Sequence, residues 1–171
     1  KFTHDQTVRL ANLGYTPSEI AERLRLPKSL AGNFHLRGYY GTLSHNSKAV
    51  YQHYFGWYQG NPAQLNPLPP EQSSVRYVEF MGGAEAILHK ASESMQRGEY
   101  RWVAEVLNHL VFAQPDNDAA LQMLAYAYRQ LGYQAESGPW RDIYLSGALE
   151  LQSESREQFY DPGLARAFVQ Q

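Results

Sequence analysis

The sequence has no cysteine. That excludes a disulfide framework and any thiolate metal site, and on its own it fits an oxidising or a reducing compartment equally well. An excess of one charge is also missing. The formal net charge is -2 over 171 residues, with no long run of one sign, so the basic footprint of a nucleic-acid binder is absent. No apolar run approaches the ~20 residues needed to span a bilayer. Sustained strand alternation is missing as well, so the expected fold class is all-α. What is present is 43% hydrophobic residues in a chain of 171. This supports a real core, excludes wholesale disorder, and allows one good-sized domain or two small ones.

Helical patterning runs nearly throughout. The chain opens KFTHDQTVRLAN, without an initiator Met or a signal-peptide pattern. It reads as starting inside a helix, as a piece of a longer polypeptide. Val8, Leu10, Ala11 and Leu13 form a first apolar set that stops at Gly14. Thr16, Pro17 and Glu19 then carry the signature of a capping box with proline at the first helical position. Ile20, Ala21 and Leu24 give the following helix its apolar face. A further helix is expected from about Ser44 to Trp57, with Gly60-Asn61-Pro62 as its stop.

Residues 62–70, PAQLNPLPP, hold four prolines and read as a stiff, extended strap. Beyond it the helical pattern resumes, with a break at Gly82-Gly83. Ala84, Ile87, Leu88, Ala91 and Met95 repeat at helical spacing, as do Val103, Leu107, Leu110 and Val111. Leu121, Leu124, Ala125, Tyr128 and Leu131 follow in the same way. Gly98 and Tyr100 opening a helix, Pro115 closing it, and an LA-x-x-Y form at Leu124, Ala125 and Tyr128 resemble the tetratricopeptide pattern. Only two imperfect units are visible, so these hairpins are expected to pack inside a larger helical domain. The expected organisation is an N-terminal helical segment with an aromatic helix (1–61), the proline-rich strap (62–70), and a tetratricopeptide-like helical region (71–171).

Catalytic patterning is scarce. His4, His35, His45, His53, His89 and His109 form no H-x-H pair and no HExxH motif. A zinc site needs three or four ligands converging about 2 Å from the ion, and the local spacing supplies none. Glu79, Glu85 and Glu105 fall on helices whose other faces are apolar, so they read as solvent-facing. Ser44 and His45 are adjacent, and neighbouring side chains on a helix diverge by about 100°, which excludes a nucleophile–base pair. Gly82-Gly83 lacks the rest of a phosphate loop.

The stretch RGYYGTLSHNSKAVYQHYFGWY, residues 37–58, stands apart. It holds five tyrosines, two histidines, a tryptophan and no acid. Such rings often serve by packing between helices while their polar tips find backbone partners. They also suit a pocket in which phenol hydroxyls donate to an anion, with Arg37, Lys48 and a helix start near Ser44 in support.

Four segments together are similar to one family. They are THDQTVRLANLGYTPSEIAERLRLP, RGYYGTLSHNSKAVYQHYFGWYQGNPAQLNPLPP, YVEFMGGAEAILHKA, and GEYRWVAEVLNHLVFAQPDN with the later LGYQAESGPWRDIYLSGALEL. They resemble alkylsulfatases of the metallo-β-lactamase type, which hydrolyse linear alkyl sulfates such as dodecyl sulfate. The resemblance implies a parent enzyme in three parts. These are a catalytic domain with two zinc ions on an HxHxDH motif, a helical dimerisation domain, and a C-terminal domain like sterol carrier protein. This chain matches the middle part over almost its whole length and lacks the HxHxDH motif. The resemblance therefore implies no cofactor in this chain, two zinc ions in the parent's catalytic domain, a homodimer, and a periplasmic or secreted bacterial location. It also implies that a tyrosine of the helical domain reaches the sulfate, with Tyr51 favoured and Tyr40 second.

Two other readings compete. One is a tetratricopeptide-like protein-interaction module without an enzymatic role. The strap and the aromatic segment before it separate the two, because an adaptor has no use for them. The other is a small metal-dependent enzyme, which the absence of ligand spacing counts against.

Overall fold

A computed structural model describes residues 1–153. Positions 154–171 of the predicted 71–171 region lie outside the described residues. All regular structure among the described residues is helical. The described residues divide into two compact units, one formed by residues 1–68 with 135–140, the other by 69–134 with 141–153.

The N-terminal unit is built on α1 (Phe2–Asn12), α2 (Pro17–Arg23), α3 (Lys28–Ala31) and α4 (Leu43–Phe55). The Thr16 hydroxyl accepts from the Glu19 N–H at 3.4 Å, and the Glu19 carboxylate accepts from the Thr16 N–H at 2.8 Å. The expected capping box is thus present and fixes where α2 begins. Both α1 and α2 pack on α4. Leu10, Ile20, Leu24 and Tyr51 form the core, edged by Phe2, Ala11, Tyr15 and Leu43. Full burial of side chains such as Ile20 and Leu24 stabilises by roughly 1.5–3 kcal/mol each. Leu13, expected on the apolar face, is exposed because α1 has ended at Asn12.

The boundaries of α4 differ from the sequence reading. Thr42 caps its start, accepting from the His45 N–H at 2.8 Å. Its end comes at Gly56, where φ is 74°. Few side chains tolerate that conformation, so the helix stops there and Trp57 lies beyond it. Gly60-Asn61-Pro62 instead starts a short 3-10 turn at Pro62–Gln64, with the Asn61 side chain accepting from the Ala63 N–H. The strap therefore begins with that turn, residues 67–69 carry no regular structure, and Pro70 already opens the next helix.

The C-terminal unit holds α5 (Pro70–Phe80), α6 (Gly83–Gln96), α7 (Tyr100–Ala113) and α8 (Asp118–Gln134), together with most of α9 (Gly138–Glu150). Gly82 sits in the left-handed region at φ 98° and makes the expected break between α5 and α6. The central helix is α7, which packs on α5, α6 and α8. Its Val103, Leu107 and Leu110 repeat at helical spacing and are wholly buried. Val78, Ile87, Ala91, Ala120, Leu124 and Ala127 close around them.

Candidate functional site

The tyrosines of the 37–58 stretch have different surroundings. On α4, Tyr51 turns inward. Its ring belongs to the core with Leu10, Ile20 and Leu24, and only 8% of the residue is exposed. Phe55, one turn on, meets it at 4.9 Å between ring centroids. The Tyr51 hydroxyl makes no hydrogen bond to a described side chain or carbonyl, so the ring is held by packing alone among the described residues.

Tyr54 lies on the exposed side of α4. Its hydroxyl shares a hydrogen bond with His4 Nε2 at 2.9 Å. The other nitrogen of His4 faces Asp5, which also pairs with Lys1. Hydrogen bonds from His4 and then Lys1 hold the Asp5 carboxyl below the usual carboxylate range.

Before α4, the chain folds tightly over residues 38–41. A Cβ on Gly38 would stand 3.1 Å from the Gly41 carbonyl oxygen, so the loop is closed on its own backbone there. Tyr40 projects from it and is 82% exposed. The Tyr39 ring meets Phe34, and the Arg37 guanidinium lies over it at 5.3 Å. Arg37, expected to help bind an anion, is already ion-paired with Glu136. Lys48 is exposed on α4.

Residues 135–140 complete this region, and sequence reasoning missed them. Gly138 N–H donates to the Tyr39 carbonyl at 2.8 Å. The Ser137 hydroxyl donates to the Tyr40 carbonyl at 2.5 Å and accepts from the Trp140 N–H at 3.4 Å. Trp140 Nε1 reaches His45 Nδ1 at 3.4 Å. Ser137 followed by Gly138-Pro139 is a recognisable helix-start signal. Nothing local in it points to a loop 97 residues earlier.

The remaining candidates do not converge. Among the described residues, no three His, Asp or Glu side chains gather to hold a metal ion. His109 is engaged with Ser74, and His89 faces Glu93. Glu79, Glu85 and Glu105 all face solvent. No helix among the described residues is long and apolar enough to cross a membrane.

Against known proteins, residues 16–154 match the family model described as alkyl sulfatase dimerisation. A linear primary-alkylsulfatase of Pseudomonas is 59% identical over 90% of this chain and 23% of its own length. An alkyl/aryl-sulfatase of Saccharomyces cerevisiae is 60% identical over 88% of this chain and 23% of its own. Among solved structures, a stereoselective inverting sec-alkylsulfatase from Pseudomonas superposes with a TM-score of 0.86 at 48% identity, over 88% of this chain and 24% of that one. The chain thus spans about a quarter of the length of the relatives it matches.

Proposed function

The chain belongs to the alkyl sulfatase dimerisation family, and on that premise we propose that it is the dimerisation domain of a longer, zinc-dependent alkylsulfatase. The parent enzyme hydrolyses alkyl sulfate esters such as dodecyl sulfate to the alcohol and sulfate. The observation that carries this reading is the 59% identity, over 90% of the chain, to a linear primary-alkylsulfatase. Among the described residues no three His, Asp or Glu side chains gather to hold a metal ion; in this reading the two zinc ions sit in the rest of the parent polypeptide.

The domain's first task is to hold two copies together. Large apolar side chains are left at the surface of a single chain, among them Phe80, Trp57 and Trp102. Phe80 is 93% exposed. Such rings are favoured in the buried centre of an interface, and obligate homodimers bury roughly 2,000 Å² or more.

Its second task is to supply a phenol to the sulfate. A neutral O–H donates to a sulfate oxygen without adding charge, which holds the anion while allowing the product to leave. Tyr51 and Tyr40 are the two donors proposed. The Tyr51 ring is held in the core and the residue is 8% exposed, whereas Tyr40 is 82% exposed. Exposure favours Tyr40, the reverse of the order the sequence suggested.

The full-length polypeptide that contains this chain tests the proposal. It is expected to release sulfate from dodecyl sulfate, to lose that activity on zinc removal, and to run as a dimer by light scattering. A full-length protein that is monomeric and turns over no alkyl sulfate would overturn it.

A further inference from the structure

We propose that Ser137 is a positioning residue for Tyr40, clasping the loop that carries the phenol. This inference rests on the reading of Tyr40 as a sulfate donor. Four observations converge on it. Ser137 is 1% exposed, and its hydroxyl donates to the Tyr40 carbonyl at 2.5 Å. The next residue, Gly138, donates its N–H to the preceding carbonyl, that of Tyr39, at 2.8 Å. Glu136 pairs with Arg37 at the mouth of the loop. Trp140 reaches His45 on the loop's far side at 3.4 Å.

Two successive donors thus meet two successive carbonyls, with a polar contact on either flank. The Tyr40 backbone is held on one side while its side chain stands free on the other. A freely mobile, solvent-exposed phenol would lose rotational and backbone freedom on meeting an anion. Fixing its Cα beforehand removes the backbone share of that cost, which is how pre-organisation raises the rate of a bound reaction.

Ser137 has a second role that the test must separate. Its oxygen accepts from the Trp140 N–H and so caps the start of α9. Ser137→Ala removes both roles. Ser137→Asp keeps the cap acceptor, but an ionised carboxylate has no proton to donate to the Tyr40 carbonyl.

The experiment is a double-mutant cycle in the full-length enzyme, read as kcat/KM on dodecyl sulfate, with the melting temperature measured alongside. Displacing a reacting group by about an ångström costs up to about 10²-fold. Ser137→Ala and Ser137→Asp are each expected to lower kcat/KM by about tenfold on that scale. Ser137→Asp is expected to keep the melting temperature closer to that of the wild type. In a Tyr40→Phe background, both Ser137 changes are expected to have little further effect, because the group they position is gone. Penalties that add fully in the Tyr40→Phe background, or a Ser137→Asp enzyme with full activity, would overturn the positioning role while leaving Tyr40 as the donor. A Tyr40→Phe enzyme with unchanged kcat/KM would overturn the donor reading, and the positioning role with it.

Discussion

The hydroxyl of Ser74 on α5 lies 3.2 Å from Nδ1 of His109 on α7, beneath a Tyr77 ring whose centroid is 4.4 Å from the imidazole. Ser74 is wholly enclosed, so this pair is a polar tie between two helices that otherwise meet through apolar side chains. Removing one partner of a buried hydrogen bond costs about 1–3 kcal/mol through the group left behind. His109→Phe keeps a ring for Tyr77 and strands the Ser74 hydroxyl. Urea denaturation is expected to show a loss in that range. Adding Ser74→Ala to His109→Phe is expected to recover part of it. Equal stability of His109→Phe and the wild type would show that the tie contributes nothing.

Gly132 is a second place where packing decides a residue type. It lies inside α8, where alanine ordinarily stabilises by about 0.8–1 kcal/mol. Here a Cβ would stand 2.9 Å from Cγ and Cδ2 of Leu145 on α9. Overpacking of this kind costs about 1–3 kcal/mol, so the clash outweighs the helix propensity. Gly132→Ala is expected to lower the melting temperature, and a rise would mean that α9 moves away at no cost.

The capping box at the start of α2 gives a pH dependence of known sign. The Thr16 N–H, and then its hydroxyl, hold the Glu19 carboxyl below the usual carboxylate range. The folded value is depressed relative to the unfolded one. The contribution is therefore complete above the unfolded value of about 4.3 and is lost as the pH falls through the folded one. Glu19→Gln keeps a side-chain acceptor and removes the titration. The melting temperature of the wild type is expected to fall more steeply than that of Glu19→Gln below about pH 4, while the two curves run parallel near neutrality. Parallel curves throughout would remove Glu19 from the acid response.

Local signals were legible wherever one residue's chemistry was sufficient. The capping box at Thr16–Glu19, the break at Gly82 and the buried faces of α2 and α7 follow from spacing and turn chemistry. The end of α4 was misplaced because a lone Gly56 is a weaker signal than Gly60-Asn61-Pro62. The deciding fact was its positive φ, which the sequence does not display. Tyr51 and Tyr40 could be named as candidates but not told apart, since which phenol is enclosed depends on Leu10, Ile20 and Leu24 closing over one of them. Ser137 was beyond reach, because its partner is a carbonyl and carbonyls carry no residue identity.

The tyrosines allow packing and chemistry to be separated by choice of substitution. In the full-length enzyme, Tyr51→Phe removes one hydroxyl and leaves the ring among Leu10, Ile20 and Leu24. Stability and dimer mass are expected to hold. A hydrogen bond to a charged group is worth about 1.5–3 kcal/mol, so loss of a sulfate contact would cost about 10- to 150-fold in kcat/KM. Tyr51→Ala adds the loss of a core ring, at about 3–5 kcal/mol of stability by analogy with other large aromatic deletions. Tyr54→Phe is the control, because its hydroxyl is occupied by His4 on the exposed side of the same helix. It is expected to leave kcat/KM unchanged. Tyr40→Phe is expected to carry the larger loss of the two candidate phenols, given its exposure. If Tyr51→Phe and Tyr40→Phe both keep kcat/KM within about a factor of two, the domain provides no phenol to the sulfate and acts on catalysis only by pairing the two copies.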